Sequence, residues 1–561
     1  MAVSDALENA VRTVAEVTAQ RRDDWDALDA VTGDGDFGST VQRGFAAVLD
    51  GWAELDRDGD RAFLVAVSRV LARVMGGTSG PLWSVAFLRA GAAAGEHDGL
   101  DADAVGALLR AAANGVGEYG GAEVGDKTLL DALEPAADAL TGGGSWADAV
   151  AAAVDGAEHT RELRAQRGRA AYAGHRTVGA PDTGAVAVAT LAAALAGDDA
   201  HAERLEALHR AAQDAEVEED GEDASEEPAT KKFVNDPADA AVEALAGLAA
   251  AEPDLVAWDP ERRIVVRAGG PVEHRVGLVS GGGSGHEPLH AGMIGPGMLT
   301  AVAPGEVFAS PSVDQVLEAV RAAQAGAGVL QIVKNYTGDV MNFRLAAELA
   351  REEGIEVASV LVADDVASGD EEHSVGRRGT AATLAVEKVA GARAAAGGSL
   401  EEVSAVAQRA ADAAASMGVA LRACSPPGGG PVFTLGDDEL ELGVGIHGEL
   451  GSERGSMRPA DSLVAGIVER LLGELEPAPG ARLFAFVNGF GGSSVMELYV
   501  LFRAVAAELE QRGLTLARSL VGDYVTSLDM EGASITLLVL DEELTELWDA
   551  PVHTAALRWG V

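Results

Sequence analysis

The sequence predicts a multidomain protein with an N-terminal all-α helical barrel or bundle and a C-terminal α/β domain of two lobes. Three observations carry this. The chain has 561 residues, more than one hydrophobic core normally supports. Its first part repeats apolar residues at helical spacing, beginning with Leu7, Val11, Val14 and Val17 and continuing to about residue 197. After Phe233 short β-branched runs, glycine turns and helical stretches alternate, which is the pattern of an α/β sheet.

Taken in order, residues 1–198 are expected to form the helical domain. Glycine-rich loops interrupt it at 31–40, 75–80, 120–128 and 174–184. Residues 199–231 are expected to be a linker, because eight of the twelve residues from Glu216 to Glu227 are acidic and such a run repels itself and buries nothing. The twelve-residue acidic run alone spans on the order of 20 Å. Residues 232–561 form the α/β domain, with lobes of about 232–415 and 416–561. Strands are expected at Arg263–Arg267, Val276–Val279, Gly328–Val333 and Leu483–Val487, and a helix at Val313–Ala323.

Composition excludes several classes of function. The formal charge of −47 repels nucleic acid and anionic membranes alike. No stretch reads as a membrane span or an export signal, so a cytoplasmic location is expected. The acidic, lysine-poor balance fits a salt-rich cytoplasm, where charges are screened within about 3 Å, and it equally fits a GC-rich genome. Both readings stay open. The single cysteine, Cys424, has no intramolecular partner and no catalytic signature around it.

In the helical region, three carboxylates, Asp29, Asp34 and Asp36, fall within eight residues and bracket a glycine. Oxygen donors so arranged suit Mg²⁺, although an acidic turn in an acidic protein has the same look. Met75-Gly76-Gly77-Thr78-Ser79-Gly80 precedes a helical run expected near Leu82 and offers amides and hydroxyls to an anion. Gly120 to Thr128 and Gly168-Arg169-Ala170 bring two cationic side chains, Lys127 and Arg169, to other loops. Taken singly, each loop is more often a helix cap than a ligand site.

In the α/β region, Ser280-Gly281-Gly282-Gly283-Ser284-Gly285-His286-Glu287-Pro288 follows a strand, and so does Lys334-Asn335-Tyr336-Thr337-Gly338-Asp339. Sites in α/β sheets gather at strand ends. In Gly443-Val444-Gly445-Ile446-His447-Gly448-Glu449 a histidine stands in a glycine-flanked turn and is expected to be accessible. A neutral imidazole can add to a ketone carbonyl to give a hemiaminal, which a polyol cannot form. Read from its surroundings alone, His447 is more often an ordinary loop histidine.

Together these segments resemble the dihydroxyacetone kinases: residues 1–198 resemble their nucleotide-binding L domain and Lys232 to Ala555 their substrate-binding K domain. Gly305-Glu306-Val307-Phe308-Ala309-Ser310-Pro311 and Gly376-Arg377-Arg378-Gly379 belong to the same resemblance. It implies that Asp29, Asp34 and Asp36 hold Mg²⁺. Gly38, Ser39, Thr40, Thr78, Ser79, Gly120, Leu129 and Arg169 would surround ATP, with Asp182, Thr183 and Gly184 in a loop nearby. It further implies that His447 forms the hemiaminal, that Gly283, Ser284, Gly285, His286, Lys334 and Asp339 bind the sugar, and that His286 with Asp339 handles the proton of the attacking hydroxyl. Two departures stand out. Phe37 occupies a position usually held by histidine, and the nucleotide half comes first, the reverse of the usual fused order.

The resemblance therefore implies an ATP-dependent kinase that phosphorylates a small ketose, dihydroxyacetone (glycerone) first of all. A homodimer is expected because phosphate donor and acceptor sit on different domains that must meet, and the charge argues against nucleic acid or membrane partners. A four-carbon ketose such as erythrulose is the alternative substrate. A non-catalytic ketone-binding regulator is the alternative of another class, and cyclisation of a flavin nucleotide is a further side activity of some relatives.

Overall fold

The structure, a computed structural model, describes residues 3–31, 35–95, 101–168, 170–173, 177–211, 231–368 and 376–560. Asp34, Arg169 and the acidic run from Glu216 to Glu227 lie outside the described residues. The chain divides into two compact units, essentially residues 1–224 and 225–561.

Among the described residues the first unit is helical throughout. Its longer helices run Asp5–Gln20, Phe37–Asp50, Asp60–Val74, Ser79–Ala94, Ala102–Gly120, Leu130–Thr141, Trp146–His159 and Thr183–Ala196. Each helix has an apolar stripe, and the stripes meet in cores built on Trp25, Phe45, Phe63 and Leu71 and on Leu28, Leu140, Val150 and Val186. Their starts are capped by side chains. Asp101 accepts from Ala104 N, Asp182 accepts from Ala185 N, and Ser145 forms a capping box with Asp148; each cap contributes about 1 kcal/mol.

Two expectations are corrected here. The helix expected near Leu82 begins at Ser79, with Thr78 as its N-cap. The stretch expected as linker from residue 199 includes the helix Ala202–His209, whose Leu205, Leu208 and His209 are buried on the first unit's core. Its apolar spacing was masked by the acidic composition that follows.

Among the described residues the second unit holds two six-stranded sheets and a two-stranded one that pairs Val552–His553 with Arg558–Trp559. Strands β1 (Val256–Asp259), β2 (Ile264–Arg267), β3 (Gly277–Ser284), β4 (Ala301–Val307), β5 (Val329–Lys334) and β6 (Val357–Val362) lie in the order β1-β2-β4-β3-β5-β6. The pairs β4–β3, β3–β5 and β5–β6 are parallel, so the carboxyl ends of β3, β4 and β5 emerge on one side. The second sheet takes β7 (Ala414–Arg422), β8 (Glu439–Leu442), β9 (Glu453–Ser456), β10 (Arg482–Gly489), β11 (Thr515–Gly522) and β12 (Glu531–Leu540) in the order β11-β10-β12-β7-β8-β9. A single core spans both sheets, joining Leu278 and Ile332 to Val444, Phe486 and Met530. The glycine run read as a turn after Val279 is instead strand: β3 continues through it and pairs Ser284 with Val307. Glycines are used there because neighbouring groups press on the backbone, not because the chain turns.

Candidate functional site

Four segments converge at the carboxyl ends of β3, β4 and β5. The chain leaving β3 carries His286, and the chain leaving β4 carries Phe308. Lys334 ends β5, while Asp339 sits in the first turn of the helix Thr337–Glu352. The turn after β8 brings in His447. The rings of His286 and His447 lie 4.7 Å apart at 75°, with Phe308 stacked on His286 at 5.3 Å and Tyr336 edge-on to His447 at 4.5 Å.

His447 is therefore walled in rather than accessible: its side chain is 5 % exposed. The crowding comes from Phe308, Tyr336 and His286, which belong to segments more than a hundred residues away.

The hydrogen bonds fix both histidine tautomers. His286 Nδ1–H donates to the Thr526 carbonyl at 2.8 Å, so Nε2 carries the lone pair, and that buried atom has no hydrogen-bond partner among the described residues. Burial, then the neighbouring His447 and Lys334, pushes the His286 pKa well below the usual histidine range. His447 Nδ1–H donates to Glu449 Oε1 at 3.0 Å, leaving Nε2 as its lone-pair nitrogen, while Glu449 Oε2 accepts the His447 amide at 2.9 Å. Glu449 is thus the orienting carboxylate of His447. Gly445 has no room for a side chain because Glu449 and Arg378 lie against it.

Lys334 Nζ is fully buried. It donates to His290 Nε2 at 2.7 Å and to the Gly281 carbonyl at 3.2 Å, and it lies 3.9 Å from Asp339 Oδ2. Burial lowers its pKa, and Asp339 opposes the shift. A side chain at Gly282 would fall on Nζ, so this position must be glycine. Asp339 Oδ1 is buried without a hydrogen-bond partner among the described residues. Two buried acceptors with open lone pairs, His286 Nε2 and Asp339 Oδ1, thus belong to a cluster that also holds the Lys334 amine and a second imidazole. Such a constellation can hold a hydroxylated carbonyl compound and take a proton from it.

Of the other sugar-site expectations, Ser284 donates its hydroxyl proton to the Gly305 carbonyl at 2.7 Å. Gly283 and Gly285 lie against Phe308, whose backbone and ring leave no space for a Cβ. Arg378, from the Gly376–Gly379 motif, is buried, bonds Asp365 at 2.8 Å and donates to the Gly443 carbonyl at 2.6 Å. It thereby anchors the turn that carries His447. Glu449, Thr526 and Tyr336 escaped the sequence reading. Glu449 alone carried a signal, since a carboxylate two residues after a histidine can reach its ring.

In the helical unit the structure explains many of the motif residues locally. Asp29 Oδ2 accepts the Gly35 amide at 2.8 Å and the Asp36 amide at 3.3 Å, which folds the loop back on the carboxylate. Asp36 is the N-cap residue of Phe37–Asp50. Ser39 bonds Asp26 through both its amide and its hydroxyl, at 2.8 and 2.5 Å, and Thr40 is buried. Thr78 and Ser79 start one helix, Gly120 ends another, and Leu129 is the N-cap residue of Leu130–Thr141. Gly184 approaches Leu129, which brings the starts of Leu130–Thr141 and Thr183–Ala196 together. Thr183 is buried, and burial raises the pKa of Asp182 to about 7.

Lys127 is not offered to a ligand. Its buried Nζ donates to the carbonyls of Thr160, Thr177 and Ala180 at 2.6–2.7 Å and of Leu163 at 3.3 Å, tying the loops together. Among the described residues no three metal-ligating side chains are gathered. Asp29 and Asp36 supply the hard oxygen donors that Mg²⁺ prefers, and in that respect they fit it.

The two units define a class of protein: a helical body joined in one chain to an α/β body with an imidazole pair and a Lys–Asp pair at its strand ends. Residues 246–556 match the Dak1 domain family and residues 31–197 the DAK2 domain family. The chain therefore belongs to the dihydroxyacetone kinase family. It is 44% identical over 356 residues to the dihydroxyacetone-binding subunit of the PEP-dependent dihydroxyacetone kinase of Escherichia coli, covering 59% of this chain and 99% of that protein. It is 46% identical over 337 residues to the human triokinase/FMN cyclase, covering 59% of this chain and 58% of that one. The crystal structure of the C. freundii dihydroxyacetone kinase with AMP-PNP and Mg²⁺ superimposes with a TM-score of 0.54 at 40% identity, over 59% of this chain and 61% of that one. The dihydroxyacetone kinase operon co-activator DhaQ superimposes at 0.53 with 32% identity, over 56% and 98%.

Proposed function

We propose that this kinase transfers the γ-phosphoryl group of ATP to the terminal hydroxyl of a small ketose, dihydroxyacetone in the first place, while the ketose is held as a hemiaminal on His447. The observation that carries this is the juxtaposition of two oriented imidazoles: the rings of His447 and His286 lie 4.7 Å apart, each held through its Nδ1 by an oxygen acceptor. As Nε2 of His447 bonds the carbonyl carbon and the C=O π bond opens, Nδ1 gives its proton to Glu449 and the alkoxide takes one from water. The water leaves as hydroxide and is neutralised by the Glu449 proton, so the adduct is neutral and no proton is gained or lost. The tether orients the terminal hydroxyl before the chemical step. His286 Nε2 or Asp339 Oδ1 then takes the hydroxyl proton as oxygen attacks phosphorus and ADP departs.

In this reading Lys334, Gly283, Ser284 and Gly285 surround the sugar. Residues 1–198 form a helical barrel or bundle that binds ATP, with a half-open apolar cavity of about 400 Å³ among its helices, lined by Leu7, Val11, Leu82, Trp83, Leu109 and Leu133. Gly38, Ser39, Thr40, Thr78, Ser79, Gly120, Leu129, Arg169 and the Asp182–Gly184 segment would contact the nucleotide. Asp29, Asp34 and Asp36 would hold Mg²⁺, which when bound neutralises phosphate charge. The enzyme is cytoplasmic and homodimeric. Dimerisation is supported by the apolar outer face of the helix Val495–Gln511, where Val495, Met496, Tyr499 and Val500 are exposed, and no helix among the described residues is long and apolar enough to cross a membrane.

The likeness to an operon co-activator favours a second reading, a ketone-binding regulator without turnover. The open lone pairs on His286 and Asp339 weigh against it, since mere binding has no use for an unpartnered buried base. A panel of ketoses and glycerol assayed with ATP and Mg²⁺ decides the matter. Dihydroxyacetone should turn over fastest, erythrulose measurably and glycerol not at all. No turnover with any ketose, despite binding, would establish the regulator instead.

A further inference from the structure

Behind Lys334 the structure continues into a buried row of groups that none of the sugar-site roles uses. Lys334 Nζ donates to His290 Nε2 at 2.7 Å, and His290 Nδ1–H donates to Glu387 Oε1 at 2.7 Å, with Ser280 Oγ 3.0 Å from the same nitrogen. Ser280 spends its own proton on the Ile332 carbonyl at 2.8 Å. The side chains of Lys334, His290 and Glu387 are 0, 2 and 0 % exposed, and Glu387 Oε2 has no hydrogen-bond partner among the described residues. A buried carboxylate of this kind is costly, so a fold that retains one without a second bond calls for an explanation.

We infer that Glu387 and His290 are a positioning pair that fixes the charge and direction of the Lys334 ammonium, and through it the placement of Asp339 at the sugar site. With Glu387 ionised, His290 carries its proton on Nδ1 and shows a lone pair to Lys334. One Nζ hydrogen is then committed inwards, and the other two point to the Gly281 carbonyl and to Asp339. If Glu387 is neutral and donates to Nδ1, the ring proton must sit on Nε2, and Lys334 must be a neutral amine to accept it. Both arrangements contain the same number of protons, so the row can pass between them without exchange with water.

Burial favours the neutral arrangement at both ends, lowering Lys334 and raising Glu387 to about 8. The charges facing Lys334 decide between the two. Asp339, from the helix Thr337–Glu352, and Glu387, from the helix Ala382–Ala395, favour the ammonium, whereas the buried neutral rings of His286 and His290 give it no charge partner. Removing the Glu387 charge therefore frees Lys334 to lose its proton at lower pH. The inference rests on the ketose-site reading for its consequence in catalysis, but not for the Lys334 titration itself.

The chain has only five lysines, Lys127, Lys231, Lys232, Lys334 and Lys388, so ¹³Cε-lysine labelling of the full protein resolves Lys334 after assignment with Lys→Arg variants. Glu387→Gln should move the Lys334 titration down by a unit or more. In turnover, it should shift the alkaline limb of kcat/KM for the ketose by the same amount while leaving KM for MgATP alone. His290→Gln keeps an acceptor for Nζ and a donor for Glu387 and should titrate like the parent, whereas His290→Leu should behave like Glu387→Gln. A Lys334 titration unmoved in both Glu387→Gln and His290→Leu overturns the inference whatever the turnover does. A parent protein that titrates as described but phosphorylates no ketose overturns the functional reading and leaves the positioning pair standing.

Discussion

At the scale of single residues, the site is held by side chains that never touch the reacting atoms. Arg378 shows this most plainly. Its guanidinium is buried, paired with Asp365 and bonded to the Gly443 carbonyl. Replacing it by methionine keeps the volume but strands the Asp365 carboxylate in the core. We expect Arg378→Met to cost about 3–5 kcal/mol in denaturant unfolding, the usual scale for breaking a buried pair, and to lower turnover by releasing the His447 turn. A loss under about 1 kcal/mol would mean the pair is not the anchor described. Residue types in the motifs were legible in the sequence, and the structure brings His286, Lys334, Asp339 and His447 together as the resemblance implied. What could not be read was who orients whom: Thr526 and Glu387 come from segments with no local signal, and Tyr336, although inside the Lys334–Asp339 motif, gave no sign that its ring would wall His447. The accessibility expected for His447 failed for the same reason, its walls being distant in sequence.

At the scale of elements, the sequence runs marked only four of the strands, β2, β3, β5 and β10, and bounded one helix, while the remaining strands were not anticipated. The helix Val313–Ala323 and strand β5 lie where apolar spacing put them. Composition misled where it changed abruptly. Glycines concealed the second half of β3, and the acidic run concealed the helix Ala202–His209. That last helix has a titratable lock. His209 is buried with Trp25 Nε1 and Thr190 Oγ1 at 3.4 and 3.2 Å from Nε2, and burial lowers its pKa to about 4. Between pH ~6.5 and ~4 the unfolded chain binds a proton that the folded chain does not. Stability therefore falls as pH falls through that window, by up to about 3 kcal/mol. His209→Asn should flatten this acid slope in the unfolding of the helical unit, since the buried histidines of the catalytic core, His286 and His290, belong to the other unit. An unchanged slope between pH 6.5 and 4.5 would refute the assignment.

At the scale of the whole molecule, labour would be divided under the proposed function between an α/β unit that captures the ketose and a helical unit that brings the nucleotide. Capture then depends only on the imidazole chemistry of the second unit, and turnover on both. The net charge of −47 fits this division: it repels polyanions at long range while leaving small neutral ketoses unaffected. MgATP, which is itself anionic, must then be drawn in by local groups and the metal rather than by the overall field. The most direct test is intact-protein mass spectrometry under non-denaturing conditions after mixing with dihydroxyacetone, applied to the parent chain, His447→Ala and Asp36→Asn. The parent and Asp36→Asn should each gain the mass of one whole ketose with no loss of water, as addition to a carbonyl requires, although Asp36→Asn turns over poorly. His447→Ala should gain nothing. An adduct of undiminished yield in His447→Ala would contradict the account at its centre.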